Sequence, residues 1–359
     1  MGDSSQPLDD LPNSIVKKST ELMRRKAITY TKLEEIYVKH GFSESNGAQN
    51  LINKVKKNDG LVSVDLKGLD KDLTNILLTH LKFNDKIFNI YHIKDVNYLN
   101  EIYDKLRENS LDESEFDLEM GDENTTYHGP LIEIDDFSIF YFQTSRYYYH
   151  KDEIKTADQN KKTYDDNFHG ELVDLYGKWK IRLNCYDFIA LDFKNNYLVI
   201  GFDLGSLFKK PEIALTKEKL EKIIGKKNNL SIMTEVNFYP CLKKMHDEVD
   251  SAGNLIGSIL GHRMLTFEGE NVSAFSPSTK TDLRLGGYHA AGSKAVRSLD
   301  FHVIQKMYSL GSSDPVIMIK EDLRVLRKLS TKAIYYALVT DLKNIQDLRF
   351  CFNKLLELS

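Results

Sequence analysis

Three cysteines, one tryptophan and seven prolines are spread over 359 residues, and no run of about eighteen apolar residues occurs. Cys185, Cys241 and Cys351 are isolated, odd in number and without paired spacing, which excludes a disulfide framework and a zinc motif. The missing apolar run excludes a membrane-spanning helix, and the opening MGDSSQPLDDLPNS has neither the basic nor the apolar region of a signal peptide. A soluble, intracellular, cytoplasmic protein is expected, nucleoid association included. Positive charge is not in excess either: 49 Lys and Arg face 53 Asp and Glu, for a net charge of -4, which excludes a uniformly basic coat. With 41% hydrophobic and 11% aromatic residues the chain has enough apolar side chains for globular folding.

What the chain does have is charge that is unevenly placed. Residues 1–14 are polar and acidic, punctuated by Pro7 and Pro12, and read as a flexible leader. Residues 15–68 hold eleven Lys or Arg against six Asp or Glu, whereas residues 108–123 hold eight acids and no base. A basic head is thus followed by an acidic run, 108–124, that reads as a linker or as an intramolecular competitor for the head's basic surface.

Helical periodicity is expected over Ile15 to Arg25, Lys32 to His40 and Asn46 to Asn58. Thr31 with Glu34 forms a capping box for the second helix, and Ser45 caps the third. In the third, Ala48, Leu51, Ile52 and Val55 form an apolar stripe, while Asn46, Gln49, Asn50, Asn53, Lys54 and Lys57 lie on or beside the polar side. Asn58-Asp59-Gly60 ends that helix, Leu61 to Leu66 alternates as a strand ending at Gly68, and residues 70–107 look helical again.

This order of three helices, tight turn and strand resembles the winged-helix branch of the helix-turn-helix DNA-binding modules over residues 15–68. The resemblance implies that the third helix enters the major groove of double-stranded DNA by its N-terminal half, with Asn46, Gln49, Asn50 and Asn53 near base edges. It places Lys54, Lys57, Arg24, Arg25 and the strand-end Lys67 near phosphates. No second returning strand follows Leu66, so a complete wing is not implied.

From residue 125 onward the period changes to two. Strands are expected over 131–149, 178–184, 188–193 and 197–202, with Lys194-Asn195-Asn196 as a hairpin connection and 151–170 as a long exposed loop. Helices at 216–225, 240–249, 293–309 and 321–329 then alternate with strands at 230–237, 264–268, 315–320 and 333–339. A last helix, Asp341 to Leu358, carries Leu342, Ile345, Leu348, Phe352 and Leu355 on a stripe that either closes the core or meets a second copy in a homodimer. The expected fold class is α+β: a small N-terminal helix-turn-helix (winged-helix-like) domain over 15–107, then a larger mixed α+β domain over 125–359.

Two further basic stretches enlarge the expected footprint, 206–227 with seven Lys against three acids and 280–332 with ten Lys or Arg against five. In LRLGGYHAAGSKAVRS, Arg284, Lys294 and Arg297 surround glycines ahead of a helix start at Ser293, which suits a secondary phosphate contact. FIALDFKNNYLVIGFD places Asp187, Asp192 and Lys194 where a nuclease would hold Mg²⁺ with carboxylates and steady the scissile phosphate with lysine, Glu171 or Asp174 completing the set. FYFQTSRYYYHK offers Tyr141, Tyr147, Tyr148 and Tyr149 either as stacking surfaces or as core. The histidines, His246 and His262 among them, stand in no catalytic motif.

The leading expectation is a non-catalytic DNA-binding protein without a cofactor, in a regulatory, replication, segregation or anti-foreign-DNA defence role. The alternatives are a Mg²⁺-dependent nuclease centred on Asp192 and Lys194, and an assembly factor that binds a protein partner.

Overall fold

A computed structural model describes residues 11–25, 27–57, 63–111, 126–153, 176–203, 210–226, 231–276, 281–287, 289, 291–292 and 299–359. The chain opens with four helices, α1 (Leu11–Arg24), α2 (Tyr30–Lys39), α3 (Ala48–Lys56) and α4 (Leu66–Phe83). Each buries one stripe: Ile15 and Leu22 in α1, Leu33 and Ile36 in α2, Leu51 and Val55 in α3, and Leu69, Leu73, Leu77 and Leu81 in α4. Helix α1 packs against α3 and α4, and α2 touches both.

The helix starts differ from the expected ones. Thr29, not Thr31, caps α2, its hydroxyl accepting the Lys32 amide at 3.3 Å. Gly47 rather than Ser45 caps α3, at a φ of 104° that favours glycine. The expected strand 61–66 is corrected over its described part: Ser63 and Val64 turn, Asp65 caps α4 by accepting the Gly68 amide at 2.8 Å, and Leu66 is already helical. A carboxylate cap followed by leucines four residues apart outweighs the brief alternation of Leu61 to Leu66. Residues 58–62, the rest of that strand and its turn, lie outside the described residues.

Beyond α4 come β1 (Lys86–Ile93) and α5 (Val96–Arg107), so the stretch read as helical through 70–107 contains a strand. It is central: β1 pairs on one side with a later strand over Lys86–His92 and on the other with two more. KIFNIYHI is buried on both faces, and a short apolar run of that kind has no period that separates strand from buried helix.

The rest of the chain supplies β2 (Tyr127–Ile134), β3 (Phe137–Glu153), β4 (Tyr176–Asp192), β5 (Tyr197–Asp203), α6 (Lys210–Ile223), β6 (Met233–Glu235), α7 (Tyr239–Asp247), β7 (Ser258–Thr266) and β8 (Asn271–Phe275). After these come β9 (Leu299–Met307), β10 (Val316–Lys320), α8 (Leu323–Leu326), β11 (Ala337–Thr340) and α9 (Ile345–Leu358). Among the described residues eleven strands make one antiparallel sheet in the order β2-β3-β4-β5-β1-β11-β10-β9-β7-β8, with β6 beside β1. The protein is a mixed α+β fold. Helix is corrected to strand at β9, where 293–309 was expected to be helical; Phe301, Val303 and Ile304 are buried within a β-branched run. The helical reading of 293–298 lies outside the described residues.

Side-chain alternation along the strands divides the core in two. Phe88, Ile90, Phe137, Ile139, Tyr141, Phe188 and Val199 face α1–α4, α7 and α9. Tyr91, Ile93, Phe140, Phe142, Ile189, Leu198, Ile200 and Phe202 face α5 and α6. Each fully buried Phe contributes on the order of 1.5–3 kcal/mol. Leu348, Phe352 and Leu355 of α9 are fully buried, so the last stripe closes the core.

Between the helical unit and the sheet lies a buried set of charges. Asp187 and Asp203 are fully buried, as is Lys86, with Arg25 and Arg146 at 4% and 5% exposure. Lys86 Nζ donates to the Leu81 and Tyr186 carbonyls at 2.8 Å each and to Asn84 Oδ1 at 2.5 Å. Arg146 donates to both oxygens of Asp187 and to the Asp203 carbonyl, while Arg25 donates to the Asn184 carbonyl and lies 3.6 Å from Asp203 Oδ2. Burial opposes ionisation of Asp203, but Lys86, Arg25, Arg146 and the Tyr186 amide outweigh it and hold its pKa at about 2.

Asp203→Asn leaves three buried cations facing one buried carboxylate, Asp187, with the partly exposed Glu21 on Arg25 at 2.9 Å, and is expected to cost about 3–5 kcal/mol in urea unfolding at neutral pH. The folded pKa lies below the unfolded value of about 3.9. The stabilisation is therefore complete above that value and lost as pH falls through about 2. The gap between wild type and variant should narrow across that window; a constant gap would reject the ionised role of Asp203.

Candidate nucleic-acid interface

Helix α3 presents its polar side as expected. Asn46, Gln49, Asn50, Lys56 and Lys57 are exposed, while Leu51, Ile52 and Val55 are buried beneath them. The amides are locally engaged: Gln49 Nε2 donates to Asn53 Oδ1 at 3.1 Å, and Asn50 Nδ2 to the Asn46 carbonyl at 2.7 Å. Both bonds are solvent-exposed.

The cations divide differently. Lys54 is anchored, its Nζ donating at 2.9 Å to Ser43 O, Ser43 Oγ and Glu44 O. Arg25 is not a phosphate contact; it is buried and bolts the end of α1 to β4 and Asp203. Lys67 is exposed but lies in the first turn of α4, not at a strand end. Arg24 and Lys17 are exposed on α1 and line a cleft of about 510 Å³ with Lys18, Glu21, Arg182 and Asn184, toward β4. The other side of the unit has acids: Glu34 and Glu44 share a depression of about 620 Å³ with Tyr30, Ser45, Asn46 and Asn50. The Ser45 amide and Tyr30 hydroxyl hold the Glu34 carboxyl below its usual range.

The secondary sites do not assemble as expected. Arg284 is buried, ion-paired to Asp282 at 2.7 Å and bonded to the carbonyls of His246, Ile256 and Gly257, which leaves its guanidinium no room for phosphate. Lys294 and Arg297 lie outside the described residues. In 206–227, Lys217 and Lys226 meet Glu235 and Glu221 at 2.7 and 2.8 Å. Asp187 is satisfied by Arg146 and by Thr144 at 3.1 Å. Asp192 caps the β4–β5 hairpin, accepting from the Lys194 and Asn195 amides at 3.0 and 3.1 Å, and Lys194 points to solvent. Five residues of strand, about 17 Å, separate the two carboxylates and put them on opposite faces. Glu171, Asp174 and the acidic residues 112–123 lie outside the described residues. Tyr141 joins the core, Tyr147 is half-buried, and the side chains of Tyr148 and Tyr149 lie outside the described set.

The fold does collect histidines that sequence spacing left apart. His246 Nε2 lies 3.2 Å from His289 Nε2, and the ring of His289 lies 4.9 Å from that of His262. His246 Nδ1 faces Asp247 at 2.7 Å, while His262 is 1% exposed with neither ring nitrogen hydrogen-bonded to protein. No local signal marks them, because they come from α7, β7 and the segment after Leu285. Among the described residues no group of three or more His, Cys, Asp or Glu is arranged to hold a metal ion, and no helix is long and apolar enough to cross a membrane.

Burial and the neighbouring imidazoles push His262 down to about 4. Burial and the Arg25 charge do the same to His80, also to about 4. Unfolded histidine takes its proton near 6.5, so stability should fall as pH drops from about 6.5 to about 4 and these two groups add no further loss below that. His262→Leu should flatten part of that slope in unfolding followed at stepped pH; a slope equal to wild type would show that His262 ionises freely in the fold. No family model matches this chain, and no curated protein matches it either.

Proposed function

We propose that the protein binds double-stranded DNA without catalysing a reaction on it, and that α3 is the element its helical unit offers to the duplex. The observation that carries this reading is the exposed row Asn46, Gln49 and Asn50, continued by Lys56 and Lys57, on a helix whose opposite side is locked into the core by Leu51, Ile52 and Val55. Such a helix is rigidly held with donor and acceptor amides outward, as base-edge recognition requires. Lys56 and Lys57 take the phosphate role in place of the anchored Lys54.

A second reading has its own observation. Glu34 and Glu44 beside Asn46 and Asn50 put negative charge at the N-terminal end of α3, which suits a cationic protein surface better than phosphate.

Titration of the full-length protein against random and selected duplexes at several salt concentrations separates them. Lys56→Ala and Lys57→Ala should each weaken all duplexes alike and lower the salt slope by about one. Asn50→Ala should cost about 1–3 kcal/mol of preference for the selected duplex. Affinity indifferent to salt, or unmoved by all three substitutions in folded protein, would reject α3 as a DNA-reading helix and favour the protein partner.

A further inference from the structure

Strands β3 and β4 run further than the described strands beside them. Pairing of β3 with β2 ends at Gln143, and pairing of β4 with β5 begins at Phe188, yet β3 and β4 stay paired to Glu153 and Tyr176. Among the described residues, the ten pairs from Thr144–Cys185 to Glu153–Tyr176 therefore form a two-stranded ribbon beyond the other strands, about 30 Å long. A lone ribbon is marginal in water, and this one is fixed at its root. Arg25 donates to Asn184 O, Ser145 and Asn184 side chains meet at 3.1 Å, and Arg146 clasps Asp187.

Along β4 the residues Lys178, Lys180 and Arg182 are exposed and, two apart, share one face. The register sets Lys151 opposite Lys178 and Tyr147 opposite Arg182, and Lys180 Nζ lies 3.8 Å from the centre of the Tyr147 ring. At the root the basic face runs on through Arg182 into the cleft where Arg24 and Lys17 stand on α1. The opposite face carries Trp179, 45% exposed, its ring lying over Gly177 so closely that a Cβ there would fall 2.2 Å from it.

We propose that this ribbon is an arm that binds duplex DNA, with Lys178, Lys180 and Arg182 on phosphates. The occupant follows from charge and shape. Three cations spaced about 6.7 Å apart along one strand match a polyanion with a charge every 1.7 Å or so of its axis. A ribbon of this width enters the major groove, and its length covers most of one helical turn of about 34 Å. The arm is a surface separate from α3 and does not depend on α3 reading bases.

Trp179 is the only tryptophan in the chain, so selective tryptophan emission reports the arm in the native protein. Random duplex added to full-length protein should change that emission along the same isotherm that anisotropy of a labelled duplex records. The triple variant Lys178→Ala, Lys180→Ala, Arg182→Ala should lower the salt slope by about three, at least tenfold weaker in affinity at low salt, with circular dichroism retained. Should the triple variant misfold, Lys178→Gln with Lys180→Gln should lower the slope by about two. Lys178→Arg with Lys180→Arg should keep it, since phosphate needs charge rather than one head group. Binding seen by anisotropy with silent Trp179 and an unmoved slope in these variants overturns the arm, while loss with Lys56→Ala and Lys57→Ala in the same series leaves α3 standing. Loss in the ribbon variants alone establishes the arm and removes α3. Binding confined to single strands, or none at all, also overturns the proposal.

Discussion

Three buried cations share two buried carboxylates at the seam between helices and sheet, and every layer of the molecule is tied to that arrangement. Arg25 comes from the end of α1, Lys86 from the start of β1, Arg146 and Asp187 from β3 and β4, and Asp203 from the end of β5. Replacing such a set by well-fitted apolar groups is often neutral for stability, so its role is better understood as positional. Each cation also donates to a carbonyl of another element: Arg25 to Asn184, Lys86 to Leu81 and Tyr186, Arg146 to Asp203. A shift of one residue in β3–β4 or a rotation of α1 would leave charge buried without a partner, at far greater cost than a lost apolar contact.

The same seam explains why the helical unit and the sheet are one structure. Helix α4 ends over β4, and β1 follows it directly into the middle of the sheet, flanked by β5 and β11. The apolar side chains of α1–α4 run without a break into Phe88, Tyr186 and Phe188. A surface on α1 is thereby held rigidly against a surface on β4, and the cleft containing Arg24 and Arg182 is a feature of the assembled fold and of neither part alone.

Much of the secondary structure was legible where local chemistry and periodicity agree. The first three helices, the β4–β5 hairpin around Lys194-Asn195-Asn196, β10 and α9 stand close to where their patterns put them. The misreadings have physical causes. β1 is buried on both faces and has no alternation to read; β9 follows a Gly-rich stretch that suggested a helix start at Ser293; Leu61 to Leu66 was too short for its alternation to prevail over the Asp65 cap. Of the candidate site, the outward amides of α3 could be read from a 3.6-residue period. That Arg25 and Arg284 are buried, and that Lys54 is anchored, could not, because beside the local carboxylates Glu21 and Asp282 the groups that enclose them, Asp203, the His246 carbonyl and Ser43, lie 178, 38 and 11 positions away.

Counts of charge along a sequence measure density, whereas a partner meets only charge that the fold leaves outside. The seven lysines of 206–227 look like a strong basic stretch, yet Lys217 and Lys226 are met by Glu221 from α6 and by Glu235 from β6. The run Lys178-Trp179-Lys180-Ile181-Arg182 holds only three cations and escapes any long window. A strand sorts it by parity, however, sending all three to one face and the indole to the other, and the cross-strand partner of Lys178 is Lys151. With its root held by buried ion pairs, the ribbon presents Lys178, Lys180 and Arg182 on one exposed face, and that parity is what the proposed phosphate contact rests on.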